Sequence, residues 1–167
     1  MSANPQPMQP GCDLYDHEIN WLPFAGIENL ELSLLDIDEK RNVVDLIVRF
    51  APDKTVTMHN HIAQTNMLII QGELRIYEPD GSIRQSRTPG RYYRGRTGDA
   101  HSEGGGPDGA VVFYSMRCDN EPNVLDVMDD DGNVQATLTM DDVRAACQAG
   151  ERLWQKTRAG GADHAQG

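Results

Sequence analysis

The chain has 167 residues, of which 38% are hydrophobic and 25% are charged. That length is close to one domain, and the apolar share, although low, is enough for one packed core. Acidic residues outnumber basic ones by 26 to 15, which gives a formal net charge of −11. Nucleic-acid binding needs a basic surface and anionic membranes repel an acidic one. We therefore expect neither nucleic acid nor a membrane as a partner.

Targeting signals and cysteines bear on the compartment. No apolar run is long enough for a membrane-spanning helix, and the first residues lack the basic and apolar pattern of a secretory signal. The three cysteines, Cys12, Cys118 and Cys147, have no C-x-x-C spacing. An odd, scattered set of this kind does not make a disulfide framework, so we expect a cytoplasmic protein.

The first segment in chain order, residues 1–13, is rich in proline and polar residues and predicts a flexible tail. The last segment, residues 159–167, is rich in glycine and alanine and predicts another. Residues 14–158 are expected to form one domain.

Most segments of that domain predict β-strands. Residues 42–50 alternate two different sets of side chains, as expected of a strand with two distinct faces. The predicted strands are 27–35, 42–50, 55–61, 66–70, 73–77, 82–86, 91–94, 110–117, 123–128 and 133–138. So many short strands between Gly and Pro turns predict an all-β sandwich or barrel.

Turns and one helix complete the prediction. Gln71-Gly72 indicates a tight hairpin between two strands, and the acidic run that ends at Gly132 indicates another. Thr139 followed three residues later by Asp142 resembles a capping box. A single helix is therefore predicted over residues 139–156.

Three of the five histidines suggest a metal site. His59 and His61 are two residues apart in a predicted strand, so both rings point to one face. His101 follows forty residues later and could complete one side of a coordination sphere. The alternative is a pair of ordinary surface histidines on an exposed strand. His17 and His164 lie in or near the predicted tails and are expected to face solvent.

The same region resembles the two signature motifs of the cupin superfamily over residues 42–118. The first motif, G-x5-H-x-H-x(3,4)-E-x6-G, and the second, G-x5-P-x-G-x2-H-x3-N, are both matched in part. The residues that carry the first are Asp53, His59, His61 and Gly72, with Thr65 or Asn66 at the acidic position; those that carry the second are Gly90, Arg96, Gly98, His101 and Gly105.

This resemblance implies a jelly-roll β-barrel with a short C-terminal helix. The segments MHNHIAQTNMLIIQGELRIY and GRTGDAHSEGG are similar to three-histidine Fe(II) dioxygenases that cleave β-diketones or 2,4′-dihydroxyacetophenone. It implies Fe(II) on His59, His61 and His101 without a carboxylate ligand, with Zn, Mn or Ni as alternatives. It also implies O2 and a small molecule as substrates, and a homodimer or larger assembly.

Other residues near the histidines are candidate catalytic groups. Gln64 and Asn66 could donate hydrogen bonds to a substrate, or they could simply occupy a turn. Arg96 could attract an anionic substrate through its guanidinium fork, or it could belong to a solvated edge. Glu103 could orient a ligand imidazole, or it could be exposed beside a mobile loop at Gly104–Gly106.

Three functions remain open at this point. The first is an oxygenase that cleaves a carbon–carbon bond of a small β-diketone or aryl hydroxy-ketone. The second is a metal-dependent isomerase or lyase of the same fold. The third is a module that binds a metal or ligand without turnover.

Overall fold

The computed structural model describes residues 19–24 and 27–149. Both predicted tails, His17, His164 and Cys12 lie outside these residues, as does the predicted end of the helix. The described part is all-β with one C-terminal helix, as predicted. Its elements are β1 (Leu22–Pro23), β2 (Leu30–Asp38), β3 (Val43–Phe50), β4 (His59–His61), β5 (Gln64–Tyr77), β6 (Ile83–Arg87), β7 (Tyr92–Arg94), β8 (Ala100–Arg117), β9 (Asn123–Met128), β10 (Val134–Thr139) and α1 (140–149). No helix among them is long and apolar enough to cross a membrane.

The strands form one curled antiparallel sheet. Its main order is β1-β2-β3-β8-β4-β9-β10, and β5 pairs with β8, β6 and β7. The long strand β8 is central because it pairs with β3, β4 and β5 along different parts of its length. This arrangement brings β4, which carries two histidines, beside the start of β8, which carries the third.

The alternation predicted for residues 42–50 is confirmed in β3. Val44, Leu46, Val48 and Phe50 all belong to the buried core cluster. Arg49, on the opposite face, is buried as well, because its guanidinium lies 4.6 Å from the ring centroid of Trp21 and it also bonds Glu31. Both faces of β3 therefore carry buried side chains.

The hairpin predicted at Gln71-Gly72 is wrong, because residues 64–77 form a single strand that pairs with β8 on both sides of it. Gly72 has a φ of 72° and sits where the register with β8 shifts. A Cβ on Gly72 would collide with the carbonyl of Gly109. The glycine therefore serves a β-bulge and a close backbone approach rather than a chain reversal.

The predicted start of β8 is also wrong. The strand begins at Ala100, ten residues earlier than predicted, and it includes Gly104–Gly106. These glycines are buried, and a Cβ on Gly104 would collide with the carbonyl of Lys54. The glycine run therefore allows a close backbone approach within β8 and does not form an exposed loop.

The last hairpin and the start of the helix are confirmed. Strands β9 and β10 pair around the acidic turn, in which the Asp129 carboxylate accepts from the backbone N–H of Asn133 at 2.8 Å. At the start of α1, Thr139 N–H donates to Asp142 Oδ2 at 2.8 Å, and Asp142 N–H donates to the Thr139 hydroxyl at 3.3 Å. This reciprocal pair is the predicted capping box.

Candidate metal centre

Two short stretches of strand bring three histidines together. His59 and His61 point to the same face of β4, and His59 is the register partner of His101 on β8. All three are buried, with ring centroids 4.8 to 5.5 Å apart. One ring nitrogen from each lies within 4.8 Å of the others. The predicted histidine group therefore exists, and it could hold a metal ion.

Each ring is oriented by a hydrogen bond at Nδ1. His59 Nδ1 lies 3.0 Å from the carbonyl of Thr57, and His101 Nδ1 lies 2.8 Å from the carbonyl of Asp99. A carbonyl only accepts, so in both rings Nδ1 carries the hydrogen. The Nε2 of each neutral ring is then an unprotonated lone pair, which is the form that binds a metal.

In His61 a side-chain hydroxyl, instead of a backbone carbonyl, selects the same tautomer. Its Nδ1 lies 3.0 Å from the hydroxyl of Thr65, which is fully buried and donates its own hydrogen to the carbonyl of Ala63 at 3.1 Å. The hydroxyl oxygen is then free to accept from Nδ1. His61 therefore also presents a bare Nε2 to the centre.

Burial favours the neutral form of two of these rings, His61 and His101. Desolvation holds the pKa of His61 well below its usual range, and repulsion from His59, His101 and Arg87 acts in the same direction. Desolvation also lowers the pKa of His101, against the opposing pull of Glu103. The Nε2 atoms of His61 and His101 are buried and have no hydrogen-bond partner among the described residues. Orphaned lone pairs on neutral rings fit a metal ion, since a buried acceptor without a partner is otherwise costly.

A buried carboxylate adjoins the histidines. Glu103 lies two residues after His101 on β8, and its Oε1 accepts a hydrogen bond from the Tyr114 hydroxyl at 3.1 Å. Both side chains are almost completely buried. Desolvation raises the pKa of Tyr114 well above its usual range, and the Glu103 carboxylate adds to that effect. Tyr114 therefore stays protonated and remains a donor to Glu103.

The centre opens onto a small, mostly apolar cavity of about 60 Å³. Core side chains such as Phe50, Val56 and Met116 line it. Its polar lining consists of His59, His61, Glu103 and Tyr114. Such walls exclude water and lower the local dielectric, which strengthens electrostatic contacts at the histidines.

The structure does not bring the predicted catalytic residues to this cavity. Gln64 and Asn66 flank Thr65 on β5, so they point to the opposite face of the strand. They line a separate cleft with Arg94, and Gln64 Nε2 donates to the carbonyl of Gly95 at 2.7 Å. Arg96 is exposed and is absent from the described lining of the cavity. Contact of these three residues with a substrate stays a prediction.

Sequence reasoning missed two residues of the site. Thr65 was noted only as a possible replacement for an acidic ligand, although the alternation Thr65, Met67, Ile69 places it on the buried face. Tyr114 was assigned to no role, and its contact with Glu103 depends on long-range packing across eleven residues of β8. No local signal in the sequence indicates that contact.

Comparisons with known proteins agree with the observed fold. Residues 14–117 match a family described as the ChrR cupin-like domain. A comparison with curated protein sequences finds no match. Among solved structures, an acetylacetone dioxygenase from Acinetobacter johnsonii is similar, with a TM-score of 0.67, 15% identity, and coverage of 84% of this chain and 92% of that one.

Two further solved structures show how varied the proteins with this fold are. A protein of unknown function with a cupin-like fold from Ralstonia eutropha has a TM-score of 0.64 and 19% identity, covering 77% of this chain and 76% of that one. The polyketide cyclase RemF from Streptomyces resistomycificus has a TM-score of 0.50 and 18% identity, covering 64% and 78%. At these identities the likeness concerns the fold, and function has to be argued from the site.

Proposed function

This chain belongs to the ChrR cupin-like domain family and has the all-β cupin fold, and from that premise we propose that it is a non-haem Fe(II)-dependent dioxygenase. The substrate class is a small β-diketone or aryl hydroxy-ketone, in which the enzyme cleaves a carbon–carbon bond. His59, His61 and His101 hold the metal. Zn, Mn and Ni are the alternative ions, because histidine sites accept several first-row metals.

The observation that carries the proposal is the group of three buried imidazoles beside an apolar cavity, with one ring nitrogen of each within 4.8 Å of the others. Three ligands on one side of an ion leave other positions for a chelating substrate and O2. Bound Fe(II) supplies the one-electron and O2 chemistry that protein side chains lack.

The chain's own residues perform the other tasks. The three histidines contribute no charge, so a bound divalent ion keeps a positive charge that attracts the enolate or phenolate form of a substrate. The hydrogen bonds at Nδ1 fix the direction of each ring before a metal binds. The apolar walls exclude water from the bound substrate.

The acetylacetone dioxygenase from Acinetobacter johnsonii shares the fold over most of both chains, and its name suggests β-diketones as the first substrates to test. RemF has a similar fold but is a polyketide cyclase, so the fold alone does not determine the reaction. Support for the reaction therefore comes mainly from the histidine chemistry.

The test is anaerobic reconstitution of the apoprotein with Fe(II), Zn(II), Mn(II) and Ni(II) in separate samples. Each form is then given β-diketones and hydroxyacetophenones while O2 is followed with an electrode. We expect O2 uptake equal to product formed, and only in the Fe(II) form. Turnover without O2 uptake would instead identify a metal-dependent isomerase or lyase.

A second candidate, a metal-binding module without turnover, is favoured by the size of the cavity. Its volume of about 60 Å³ is smaller than the roughly 150 Å³ of an engineered cavity that admits benzene. A diketone can enter only if the walls move apart. Full metal occupancy with no turnover on any substrate of the panel would support this second function.

A further inference from the structure

We propose that Glu103 is a fourth protein ligand of the metal bound by His59, His61 and His101. The centre would then have three histidines and one carboxylate, in place of the carboxylate-free site expected from the sequence. This inference rests on the proposed metal centre, and it does not depend on the oxygenase reaction.

The distances place Glu103 next to two of the three histidines. Its Oε1 lies 3.6 Å from His59 Nε2, and its Oε2 lies 3.9 Å from His101 Nε2. Ligand atoms bound about 2.0–2.2 Å from one ion are about 3.0–3.5 Å apart. The observed separations from the two histidine nitrogens, 3.6 and 3.9 Å, are only slightly longer than that range.

When both rings are neutral, no hydrogen lies between Glu103 and the Nε2 atom of either histidine. Nδ1 of His59 and Nδ1 of His101 carry the ring hydrogens and donate them to carbonyls. Their Nε2 atoms thus face the carboxylate lone pair to lone pair. Such an arrangement is unfavourable unless a cation lies between the atoms, and a metal ion held by the three histidines would be that cation.

One oxygen of Glu103 is left for this cation. Tyr114 donates to Oε1, whereas Oε2 is buried and has no hydrogen-bond partner in the part of the chain that the structure describes. The ion pairs that the structure gives Glu103 in that part are those with His59 and His101. An ionised carboxylate is costly to bury without a compensating charge. The metal provides that charge, and Tyr114 positions the carboxylate.

A carboxylate ligand changes the charge of the centre. Three neutral histidines leave a divalent ion with a charge of +2, and Glu103 reduces the charge of the set to +1. A substrate bound as a single enolate anion would then give a neutral complex, which suits an apolar cavity. The proposal thus favours a monoanionic ligand over a dianionic one.

The direct test is a crystal structure of the wild-type protein with Zn(II), an ion that has no redox chemistry of its own. We expect one Glu103 oxygen about 2.0–2.2 Å from the ion, together with three histidine nitrogens. Both Glu103 oxygens beyond 3 Å from a histidine-bound ion would overturn the proposal and leave the three-histidine centre in place. Zn(II) that does not bind these histidines would overturn both.

The Zn(II) affinity of variants, measured by competition with a chelator, gives a second test. Glu103→Gln should weaken binding by at least the roughly 10–100-fold that loss of a group orienting a ligand costs, because it removes a charged ligand. Glu73→Gln replaces a part-buried glutamate that bonds Arg75 and should leave the affinity unchanged. Unchanged affinity in Glu103→Gln would contradict the proposal. If that variant does not fold, the wild-type Zn(II) structure still decides.

The role of Tyr114 is tested by coupling. Tyr114→Phe should weaken Zn(II) binding by about 10-fold in the wild-type background, since partners that orient a ligand are worth about 10–100-fold in affinity. In the Glu103→Gln background the same change should have little effect. An equal loss in both backgrounds would show that Tyr114 acts through general packing rather than through Glu103.

Discussion

His61 Nδ1 and the hydroxyl oxygen of Thr65 lie 3.0 Å apart in the fully buried part of the site. Thr65 commits its own hydrogen to the carbonyl of Ala63, so its oxygen accepts from the ring. One hydroxyl therefore selects the tautomer of His61 and directs its Nε2 toward the other two histidines. Position 65 thus supplies a group that orients a ligand.

The first prediction concerns this hydroxyl. Thr65→Val keeps the shape of the side chain but removes the acceptor for His61 Nδ1. We expect Zn(II) affinity to fall by about 10–100-fold, the usual effect of losing a group that orients a metal ligand. The measurement is competition with a chelator of known affinity.

Thr65→Ser is the matched control for that substitution. Serine retains the hydroxyl and should keep most of the wild-type affinity. Equal affinity losses in the valine and serine variants would show that Thr65 acts through its methyl group and packing.

The second prediction compares two glycines with positive φ. Gly72 has a φ of 72° and Gly81 a φ of 83°. A Cβ at position 72 would meet the Gly109 carbonyl, whereas nothing lies within 4 Å of a Cβ at position 81. Gly81→Ala should therefore cost only about 1 kcal/mol of backbone strain. Gly72→Ala should cost about 2–4 kcal/mol, because overpacking adds to the strain.

Urea denaturation of the apoproteins measures both free energies of unfolding. Similar losses in the two variants would contradict the close approach of β5 and β8 at the bulge.

The third prediction concerns the capping box of α1. Thr139→Ala removes the hydroxyl that bonds the Asp142 carboxylate and should destabilise the protein by about 1 kcal/mol at neutral pH. The hydrogen bond from Thr139 is the main reason that the pKa of Asp142 lies below its usual value. A lowered folded-state pKa contributes stability above the unfolded value near 3.8, and that contribution is lost as pH falls through the folded pKa.

The difference in unfolding free energy between wild type and Asp142→Asn should therefore shrink as pH falls below about 4. Chemical denaturation over a range of pH values measures it. A difference that stays constant down to pH 2 would exclude a role for the ionised carboxylate.

The fourth prediction concerns the face of β5 that carries Asn66. This residue lines a cleft separate from the histidine cavity. If substrate binds at the histidines, Asn66→Ala should leave Zn(II) affinity unchanged and should alter KM by less than about threefold. A large loss in kcat with unchanged folding would instead support the catalytic role first expected from the sequence.

Local patterns predicted those parts of the fold that depend on local chemistry. Alternation identified the inward face of β3, and the Thr139–Asp142 spacing located the start of α1. The hairpin predicted at Gly72 was wrong because a glycine with positive φ fits both a tight turn and a β-bulge. The two can be told apart only by the pairing of both halves of β5 with β8.

The sequence likewise predicted only the local part of the candidate site. Spacing alone placed His59 and His61 on one face, whereas the position of His101 came from its resemblance to a known motif. The pairing of His59 with His101 is a long-range register, which no local pattern encodes. Gln64 and Asn66 follow the histidines closely in sequence, but strand alternation points them away from the cavity and points Thr65 toward His61.

The measurement that tests the central claim most directly is the metal content of purified protein, determined for wild type and His101→Ala after equilibration with Zn(II) and gel filtration. The account predicts about one ion per chain in wild type and a sharp loss in His101→Ala, because the remaining ligands hold an ion poorly. His17→Ala is the control and should retain the metal. Full occupancy in His101→Ala would contradict the three-histidine centre, and the proposed oxygenase with it.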